Sequence, residues 1–197
     1  MKKIAILTGG DSAEYHISLQ SAEVVLNNLN KEKYAGIIIH IRNNKWTAII
    51  DGNHVDVNKK DFTVQLDSSI LKFDYVFMAL HGPPAENGEL QPYFDKLHLP
   101  YSSCNSLVSA LTFNKLECNK RLTKLGFRCA DSLHLKEGDS IDKKAIKERL
   151  ELPCFIKPNQ AGSSFGVSKV ETESEIEDAI KKAFLHDKIV LIEQFID

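Results

Sequence analysis

The sequence KIAILTGGDSAEYHISLQSAEVVLNNL, residues 3–29, joins a short apolar run to a pair of glycines and then to an apolar stripe with helical spacing. The run at 4–7 predicts a strand buried on both faces, as in a parallel sheet. Ser18 is a plausible N-cap, and the residues after it that share one helix face are Ala22, Val25, Leu26 and Leu29. Gly9-Gly10 therefore marks the carboxyl end of a strand, where open α/β sheets bind ligands.

Similar apolar runs recur along the chain and alternate with helical patterns. They predict further strands at 37–41, 75–80, 155–156 and 189–192. One helix is expected from about Ser106 to Leu125, with Gly126 ending it. Another follows a capping box at 174–177, and its predicted buried stripe is Ile176, Ala179, Ile180, Ala183 and Phe184. Strands that alternate with helices predict βαβ units and a mainly parallel sheet.

Two features subdivide this α/β pattern. Asp51-Gly52 lies between two short β-prone runs within 46–55, which predicts a hairpin inserted in the first domain. The best domain boundary lies near Cys104-Asn105, after a short apolar segment and before the long helix. We therefore expect two domains, at 1–104 and 105–197.

The composition limits the class of protein. The 197 residues include 43% hydrophobic and 26% charged residues, as in globular proteins, and the formal net charge is −2. That balance argues against a nucleic-acid or membrane-surface partner, which would favour a basic face. The four cysteines form no Cys-x-x-Cys pair, so free thiols in a reducing cytoplasm are expected. No apolar run approaches the ~18 residues of a membrane span, and the first run is short for a signal peptide.

Two loops follow predicted strands of the first domain. In Thr8–Glu14 the glycine pair is not a dinucleotide-binding GxGxxG motif, and a tight turn into a helix is the alternative to a ligand site. In the functional interpretation, the Glu14 carboxylate pairs with a substrate ammonium group. The loop 81–89 holds His81 and two glutamates among turn-forming residues, and by itself is typical of an ordinary connection.

The most specific segment lies in the second half of the chain. Lys157 ends a predicted strand and is followed by NQAGSSFGV, residues 159–167. Glycines and small hydroxyl side chains let backbone N–H groups surround phosphate oxygens, while a lysine supplies positive charge. A plain flexible hairpin is the alternative. At the end of the chain, Glu193 lies in an apolar strand that is either a simple edge strand or one that meets an adenine edge.

Five segments together resemble the ATP-grasp superfamily and, more narrowly, the D-alanine–D-alanine ligase family, which makes a dipeptide for bacterial peptidoglycan. They are GGDSAEYHISL (9–19), HGPPAENGELQ (81–91), LPYSSCNSLVSALTFNK (99–115), FIKPNQAGSSFGVSKV (155–170) and VLIEQFI (190–196). The resemblance implies a Rossmann-like substrate domain at 1–104 and the small α+β lobe of an ATP-grasp fold at 105–197. It also implies a third, catalytic lobe that this sequence does not contain.

The resemblance also implies roles for individual residues. Glu14 would hold the ammonium of the first D-alanine, and His81 would lie near the substrate or its acyl phosphate. Ser163 would bond to Glu14 and to a tyrosine of the third lobe, so Glu14 and Ser163 are the predicted catalytic residues. The ATP-binding set is Lys115, Lys157, Gly162, Ser163, Ser164, Gly166, Glu193, Gln194 and Ile196, the last three meeting adenine.

Transfer of the ATP γ-phosphoryl would convert a D-alanine carboxylate into an acyl phosphate, which the amine of a second D-alanine attacks. The family's Mg²⁺ ligands belong to the third lobe, so no metal ligand is predicted here and the chain is expected to be inactive alone. The sequence departs from the family pattern at several positions, which leaves the fine substrate specificity open. These positions are Tyr15, His16, Asn87 and the run Pro83-Pro84-Ala85. D-Lactate or D-serine as second substrate, and a noncatalytic nucleotide-binding protein, are the alternatives. A homodimer through the first domain is a further implication.

Overall fold

The computed structural model describes residues 1–196, which divide into two compact units between Ala110 and Leu111. The division falls within a helix, six residues after the boundary predicted at 104, and the predicted boundary stays a prediction. Each unit has its own sheet.

The first unit contains a seven-stranded sheet in the order β6-β5-β4-β3-β2-β1-β7. The strands are β1 (Lys2–Gly9), β2 (Tyr34–Arg42), β3 (Lys45–Ile50), β4 (Asn53–Asn58), β5 (Thr63–Gln65), β6 (Ile70–Leu71) and β7 (Tyr75–Met78). The helices are α1 (Tyr15–Asn28), α2 (Gln91–Lys96) and α3 (Ser106–Phe113), the last of which contains the division between the units.

Strand β1 is parallel to both of its neighbours, β2 and β7. Alternate residues of β1 enter two different cores: Ala5 and Leu7 join the aromatic cluster around Phe62 and Phe94, while Ile4 and Ile6 pack beneath α1. This burial on both faces explains why the run at 4–7 is continuously apolar. The carboxyl ends of β1 and β7 consequently lie side by side.

The predicted hairpin is confirmed. Strands β3 and β4 pair antiparallel, with Ile50 opposite Asn53, and Asp51 and Gly52 have φ of +49° and +80°. Positive φ at both central residues is the geometry of a type I′ turn. The hairpin extends the sheet with antiparallel strands, so the parallel arrangement is confined to β2, β1 and β7.

The second unit contains an antiparallel sheet in the order β10-β9-β11-β8. Its strands are β8 (Ser132–Lys136), β9 (Cys154–Pro158), β10 (Ser168–Val170) and β11 (Ile189–Gln194), and its helices are α4 (Lys115–Lys124), α5 (Lys143–Leu150) and α6 (Ile176–Phe184). The apolar runs 155–156 and 189–192 are strands as predicted, but the expectation that alternation with helices makes them parallel was wrong. Residues of α5 and α6 share one core with β9 and β11, and Leu191 is also fully buried on the opposite face, so the run at the centre of β11 is continuously apolar.

Three predicted helix boundaries were wrong. Helix α1 begins at Tyr15 with Glu14 at the N-cap, so Ser18 lies inside the helix and its hydroxyl donates to Glu14 O at 3.2 Å. The helix expected at 106–125 is two helices, because Asn114 is extended and its side chain caps α4 by accepting from Glu117 N. Gly126 has φ of +88°, as expected of a residue that ends a helix.

The third error concerns the capping box. It is formed by Thr172 and Glu175 on a single 3₁₀ turn (Glu173–Glu175) that precedes α6, not by residues 174–177. Backbone N–H groups of Glu171 and Thr172 donate to the Glu175 carboxylate and lower its pKa. The predicted stripe is otherwise confirmed, since Ile176, Ala179, Ile180 and Ala183 are buried and Phe184 packs against the same core.

Candidate functional site

The turn after β1 depends on its two glycines. Gly9 and Gly10 have φ of +97° and +90°, and the N–H of Gly10 donates to Ile41 O at 2.7 Å. A Cβ at Gly9 would lie 2.2 Å from that same carbonyl oxygen. A side chain at Gly9 therefore conflicts with both the backbone conformation and the neighbouring strand. The close approach lets the chain turn directly from β1 into the start of α1.

This turn brings Glu14 next to the loop that follows β7. Glu14 is only 4% exposed, and a Cβ at Gly82 would lie 3.2 Å from its Oε2 atom. Ser12 connects the two loops, because its Oγ accepts from Glu14 N at 3.1 Å and donates to His81 O at 3.3 Å. The two candidate loops thus form one polar site at the carboxyl edge of the parallel strands, where ligands bind in open α/β sheets.

His81 is held by two serines of α1 and by Glu86. Ser18 Oγ accepts from His81 N at 2.9 Å, and Ser21 Oγ lies 2.9 Å from His81 Nε2. Glu86 accepts from Gly82 N at 3.0 Å, and its other oxygen lies 3.8 Å from His81 Nδ1. Ser12, Ser21 and Glu86 were not singled out from the sequence. Ser18 and Ser21 lie three residues apart on one helix face, a spacing that could have indicated them.

Tyr15 and His16, the two residues after Glu14 that depart from the family pattern, make defined contacts in the first unit. Tyr15 donates to or accepts from His40 Nε2 at 3.0 Å, and the guanidinium carbon of Arg42 lies 3.7 Å from the Tyr15 ring centroid. His16 packs edge-on against Tyr15. Burial, together with the positive charges of His54 and Arg42, lowers the pKa of His40. His40, which has no assignable partner in the sequence, therefore belongs to a cluster beside the Glu14 turn.

In the second unit, Lys157 forms an ion pair with Glu193. Lys157 pairs in register with Leu191, so Glu193 is its diagonal neighbour on the same sheet face. This face is opposite the α5–α6 core, since Ile156 and Ile192 enter that core from the adjacent positions. Asn119 of α4 completes the cluster by donating from Nδ2 to Glu193 Oε1 at 3.3 Å. Asn119 was not predicted from the sequence.

Lys115 lies at the first position of α4 and holds the base of the glycine loop. Its ammonium donates to Ala161 O at 2.6 Å and to Asn159 O at 3.3 Å. Asn159 is fully buried, and its Oδ1 accepts from Leu116 N at 2.8 Å. The lysine is therefore not a simple solvated residue of the helix surface. Its predicted contact with ATP phosphate stays a prediction.

The tip of the glycine loop is exposed and strained. Ser163 and Ser164 are exposed and have φ of +43° and +59°, and Phe165 N donates to Gly162 O at 3.0 Å. This is a type I′-like turn made with serines, although non-glycine residues prefer negative φ. Gly166 at φ +71° allows the return, because a Cβ there would lie 2.6 Å from the His186 ring. Strain retained in an exposed loop is more typical of a functional site than of a plain hairpin.

The end of β11 lies beside aromatic and cationic side chains. Phe195 packs on Phe155 with ring centroids 5.8 Å apart, and Lys169 Nζ lies 4.8 Å from the Phe195 centroid. Gln194 N donates to Asp131 O at 2.9 Å, and Ile196 is 64% exposed. These residues give the Glu193 face both apolar ring surface and positive charge.

The segments of this chain match known families in the same order. The family described as D-ala D-ala ligase N-terminus matches residues 3–104, and the one described as D-ala D-ala ligase C-terminus matches residues 122–197. The chain belongs to the D-alanine–D-alanine ligase family. The first-unit site lies within residues 3–104, and Lys157, Glu193 and the glycine loop lie within 122–197, whereas Lys115 and Asn119 lie between the two matched regions.

Named relatives agree with this family. A D-alanine–D-alanine ligase of Phocaeicola vulgatus is 45% identical over 98% of this chain and 60% of its own length. The VanG D-Ala:D-Ser ligase of Enterococcus faecalis has a TM-score of 0.81 and 35% identity, over 100% of this chain and 63% of its own. A D-alanine–D-alanine ligase of Bacillus anthracis complexed with ATP has a TM-score of 0.74 and 25% identity, over 100% and 60%. The chain thus spans about 60% of the length of the curated relatives it matches.

Two further findings concern residues 1–196. Within them, no group of three or more His, Cys, Asp or Glu side chains is arranged to hold a metal ion. Over the same residues, no helix combines the length and the apolar character needed to cross a bilayer. The Mg²⁺ implied by the family resemblance therefore has no fitting ligand set in this part of the chain.

The structure brings the predicted residues together in two groups. In the first unit, Glu14 lies beside Gly82 in the His81 loop. In the second unit, Lys157 meets Glu193, and Lys115 meets the base of the loop that contains Gly162, Ser163, Ser164 and Gly166. Glu14 and Ser163 lie on different units, and the predicted hydrogen bond between them stays a prediction.

Proposed function

We propose that this chain provides the D-alanine-binding and ATP-binding parts of a ligase that joins two D-alanines. The observation that carries the proposal is the nearly buried carboxylate of Glu14 at the carboxyl edge of β1, facing a glycine of the neighbouring loop. Its setting in a chain that belongs to the D-alanine–D-alanine ligase family favours an amino-acid ammonium as the ligand.

Glu14 suits recognition of an ammonium group. A carboxylate offers only acceptors, and a charge-assisted hydrogen bond to an ammonium is about twice as strong as a neutral one. The low exposure of Glu14 strengthens such a pair, since screening by water is weak there. His81, restrained by Ser18, Ser21 and Glu86, lies on the next loop and would donate toward the substrate carboxylate or acyl phosphate.

The second unit suits a nucleoside triphosphate. Lys157 and Lys115 supply positive charge, and the exposed turn at Gly162–Ser164, closed by Gly166, supplies backbone N–H groups for phosphate oxygens. Glu193 would accept from an adenine amino group, and Gln194 and Ile196 would meet the ring edge. A relative of known structure is itself an ATP complex, which supports ATP as the nucleotide.

The proposed reaction has two steps. A carboxylate oxygen of the first D-alanine attacks the γ-phosphorus of ATP, so that ADP leaves and an acyl phosphate forms. The amine of the second D-alanine then attacks the carbonyl carbon, loses a proton and displaces inorganic phosphate. Positioning and charge stabilisation are the protein's main contributions to such a transfer. No step is assigned to Mg²⁺, which has no fitting ligands among residues 1–196.

Several finer features belong to the same proposal. We place the substrate domain at 1–104 and the ATP-grasp lobe at 105–197, with Ser163 bonding to Glu14 and to a tyrosine of the third lobe that the family resemblance implies. A homodimer through the first domain and a cytoplasmic location are proposed on the family resemblance alone. A D-alanine–D-serine ligase is the second candidate, supported by the 35% identity to the VanG enzyme.

Isothermal titration of the 197-residue chain tests the proposal. We expect a nonhydrolysable ATP analogue with magnesium to bind, and D-alanine to bind while L-alanine does not. L-Alanine is the matched control because it differs from D-alanine only in the configuration at Cα. If neither the nucleotide nor D-alanine binds, the proposed function is wrong for this chain.

A further inference from the structure

The carboxylate of Glu193 is held at both of its oxygens. Lys157 Nζ forms the ion pair with Oε2, and Asn119 Nδ2 donates to Oε1 at 3.3 Å. The lysine and glutamate side chains are only 20% and 16% exposed. Two donors on different oxygens restrict rotation of the carboxylate, whereas a single flexible lysine would leave it free to turn about that contact.

Asn119 is itself well anchored. Its backbone carbonyl accepts from Thr123 Oγ1 at 2.9 Å and from Cys129 Sγ at 3.8 Å, which fixes the main chain that carries the amide. It lies four residues after Lys115 on α4, and this spacing places both side chains on one helix face. One face of α4 therefore serves both parts of the candidate nucleotide site, with Lys115 at the glycine loop and Asn119 at Glu193.

A carboxylate held in one orientation can distinguish purines by the group at position 6 of the ring. It accepts hydrogen bonds and cannot donate, so it attracts a 6-amino group and repels a 6-oxo group. Each carboxylate oxygen has about two lone-pair sites, so Glu193 can accept from a base while its present partners remain. Discrimination by such a contact depends on how well the acceptor is positioned.

We propose that Asn119 is a positioning residue that sets the preference of the nucleotide site for a 6-amino purine. Asn119 acts through Glu193, and the inference rests on the proposed ATP-binding function. If Asn119 is merely structural, its substitution will lower the affinity of all nucleoside triphosphates equally. If Asn119 positions Glu193, its substitution will lower the affinity only of those that offer an amino group to Glu193.

Titration of the 197-residue chain with three ligands separates these cases. The ligands are ATP, inosine triphosphate (6-oxo) and purine riboside triphosphate (unsubstituted at position 6), each with magnesium. Asn119→Ala should weaken ATP about tenfold and leave purine riboside triphosphate unchanged. Asn119→Asp, which has nearly the same shape but places a second carboxylate at Glu193, should weaken ATP further. Alanine favours helices, so Asn119→Ala should keep α4 folded, and circular dichroism checks this.

Lys120→Gln is the matched control, since Lys120 is the next residue of α4 and pairs with Glu117 at 2.8 Å. It should leave the ratio of ATP affinity to purine riboside triphosphate affinity unchanged. Equal losses for all three ligands in Asn119→Ala, or no loss for any, would overturn the positioning role while leaving ATP binding intact. If wild-type chain binds none of the three, the proposed nucleotide site fails, and the inference fails with it.

Discussion

The polar groups of the two candidate sites lie in opposite settings. In the first unit the key carboxylate, Glu14, is 4% exposed and lies among loops tied together by Ser12 and Ser18. In the second unit Ser163 and Ser164 are exposed at the tip of a loop anchored at its base by Lys115. The first arrangement depends on neighbouring strands, and the second depends mainly on local conformation.

The turn after β1 and the tip of the glycine loop both contain residues in the left-handed backbone conformation, but the residue types differ. Gly9 adopts it where a side chain would strike Ile41 O, whereas Ser163 and Ser164 adopt it in an open turn. For a residue with a side chain this conformation costs about 1–2 kcal/mol. Crowding therefore requires glycine in the first unit, while the second unit keeps hydroxyl groups despite the strain. Substitutions at both places test this difference.

The largest effect is expected at Gly9. Gly9→Ala combines a positive φ with a Cβ 2.2 Å from a backbone oxygen, so the free energy of unfolding should fall by about 3 kcal/mol or more. Urea unfolding followed by circular dichroism measures it. Gly52→Ala is the matched control, because Gly52 has φ of +80° with no atom within 4 Å of a Cβ, and should lose only about 1 kcal/mol. Equal losses would show that crowding at Gly9 is unimportant.

Removal of Lys157 tests the charged face of the second unit. Lys157→Ala should weaken ATP binding by at least about tenfold, because a charge-assisted contact with phosphate is lost. Isothermal titration gives the affinity. Lys188→Ala removes the same charge from an exposed position immediately before β11 and should have little effect. Similar losses in both variants would point to general charge attraction in place of a specific site.

Glu14→Gln tests the buried carboxylate of the first unit, because glutamine has nearly the same shape as glutamate but carries no charge. Loss of the negative charge should weaken D-alanine binding about tenfold, since the amide cannot form an ion pair with an ammonium. Glu23→Gln, an exposed position on the same helix, should bind as wild type does. Unchanged D-alanine affinity in Glu14→Gln would remove Glu14 from the proposed substrate site.

Relief of strain in the exposed loop should have a smaller effect of opposite sign. Ser163→Gly should leave stability unchanged or raise it by at most about 1 kcal/mol, because glycine adopts φ of +43° without a steric penalty but gains freedom in the unfolded chain. The same urea measurement applies. A loss above about 1 kcal/mol would mean that the Ser163 side chain supports the loop.

The smallest effect concerns pH and His40. Burial and nearby positive charges lower the pKa of His40 in the folded chain, so the unfolded chain binds the proton more readily. The contribution of His40 to stability is therefore complete above its unfolded pKa of 6.5 and is lost as pH falls below that value. Urea midpoints between pH 8 and pH 5 should decline less steeply in His40→Asn. An unchanged decline would show that His40 does not contribute to it.

The sequence determined most of what is local or ordered along the chain. Apolar runs located the main strands, Asp51-Gly52 located a type I′ hairpin, and the order of five motifs identified the family. The motifs also indicated four polar residues: Glu14 and His81 in loops, Lys157 at a strand end and Lys115 on a helix. These features are readable because each depends on residues close together in the chain.

Tertiary structure decided what depends on distant partners. Whether β9 and β11 run parallel or antiparallel follows from how the strands pair, and an apolar run has the same composition in either case. The break at Asn114 follows from a side-chain cap that the apolar pattern does not show. Ser12 and Asn119 became visible only through hydrogen bonds to residues 69 and 74 positions away. A polar side chain takes part in a site only when folding places its donor or acceptor beside a partner. The spacing of residues along the chain seldom predicts which distant residues will be hydrogen-bonded.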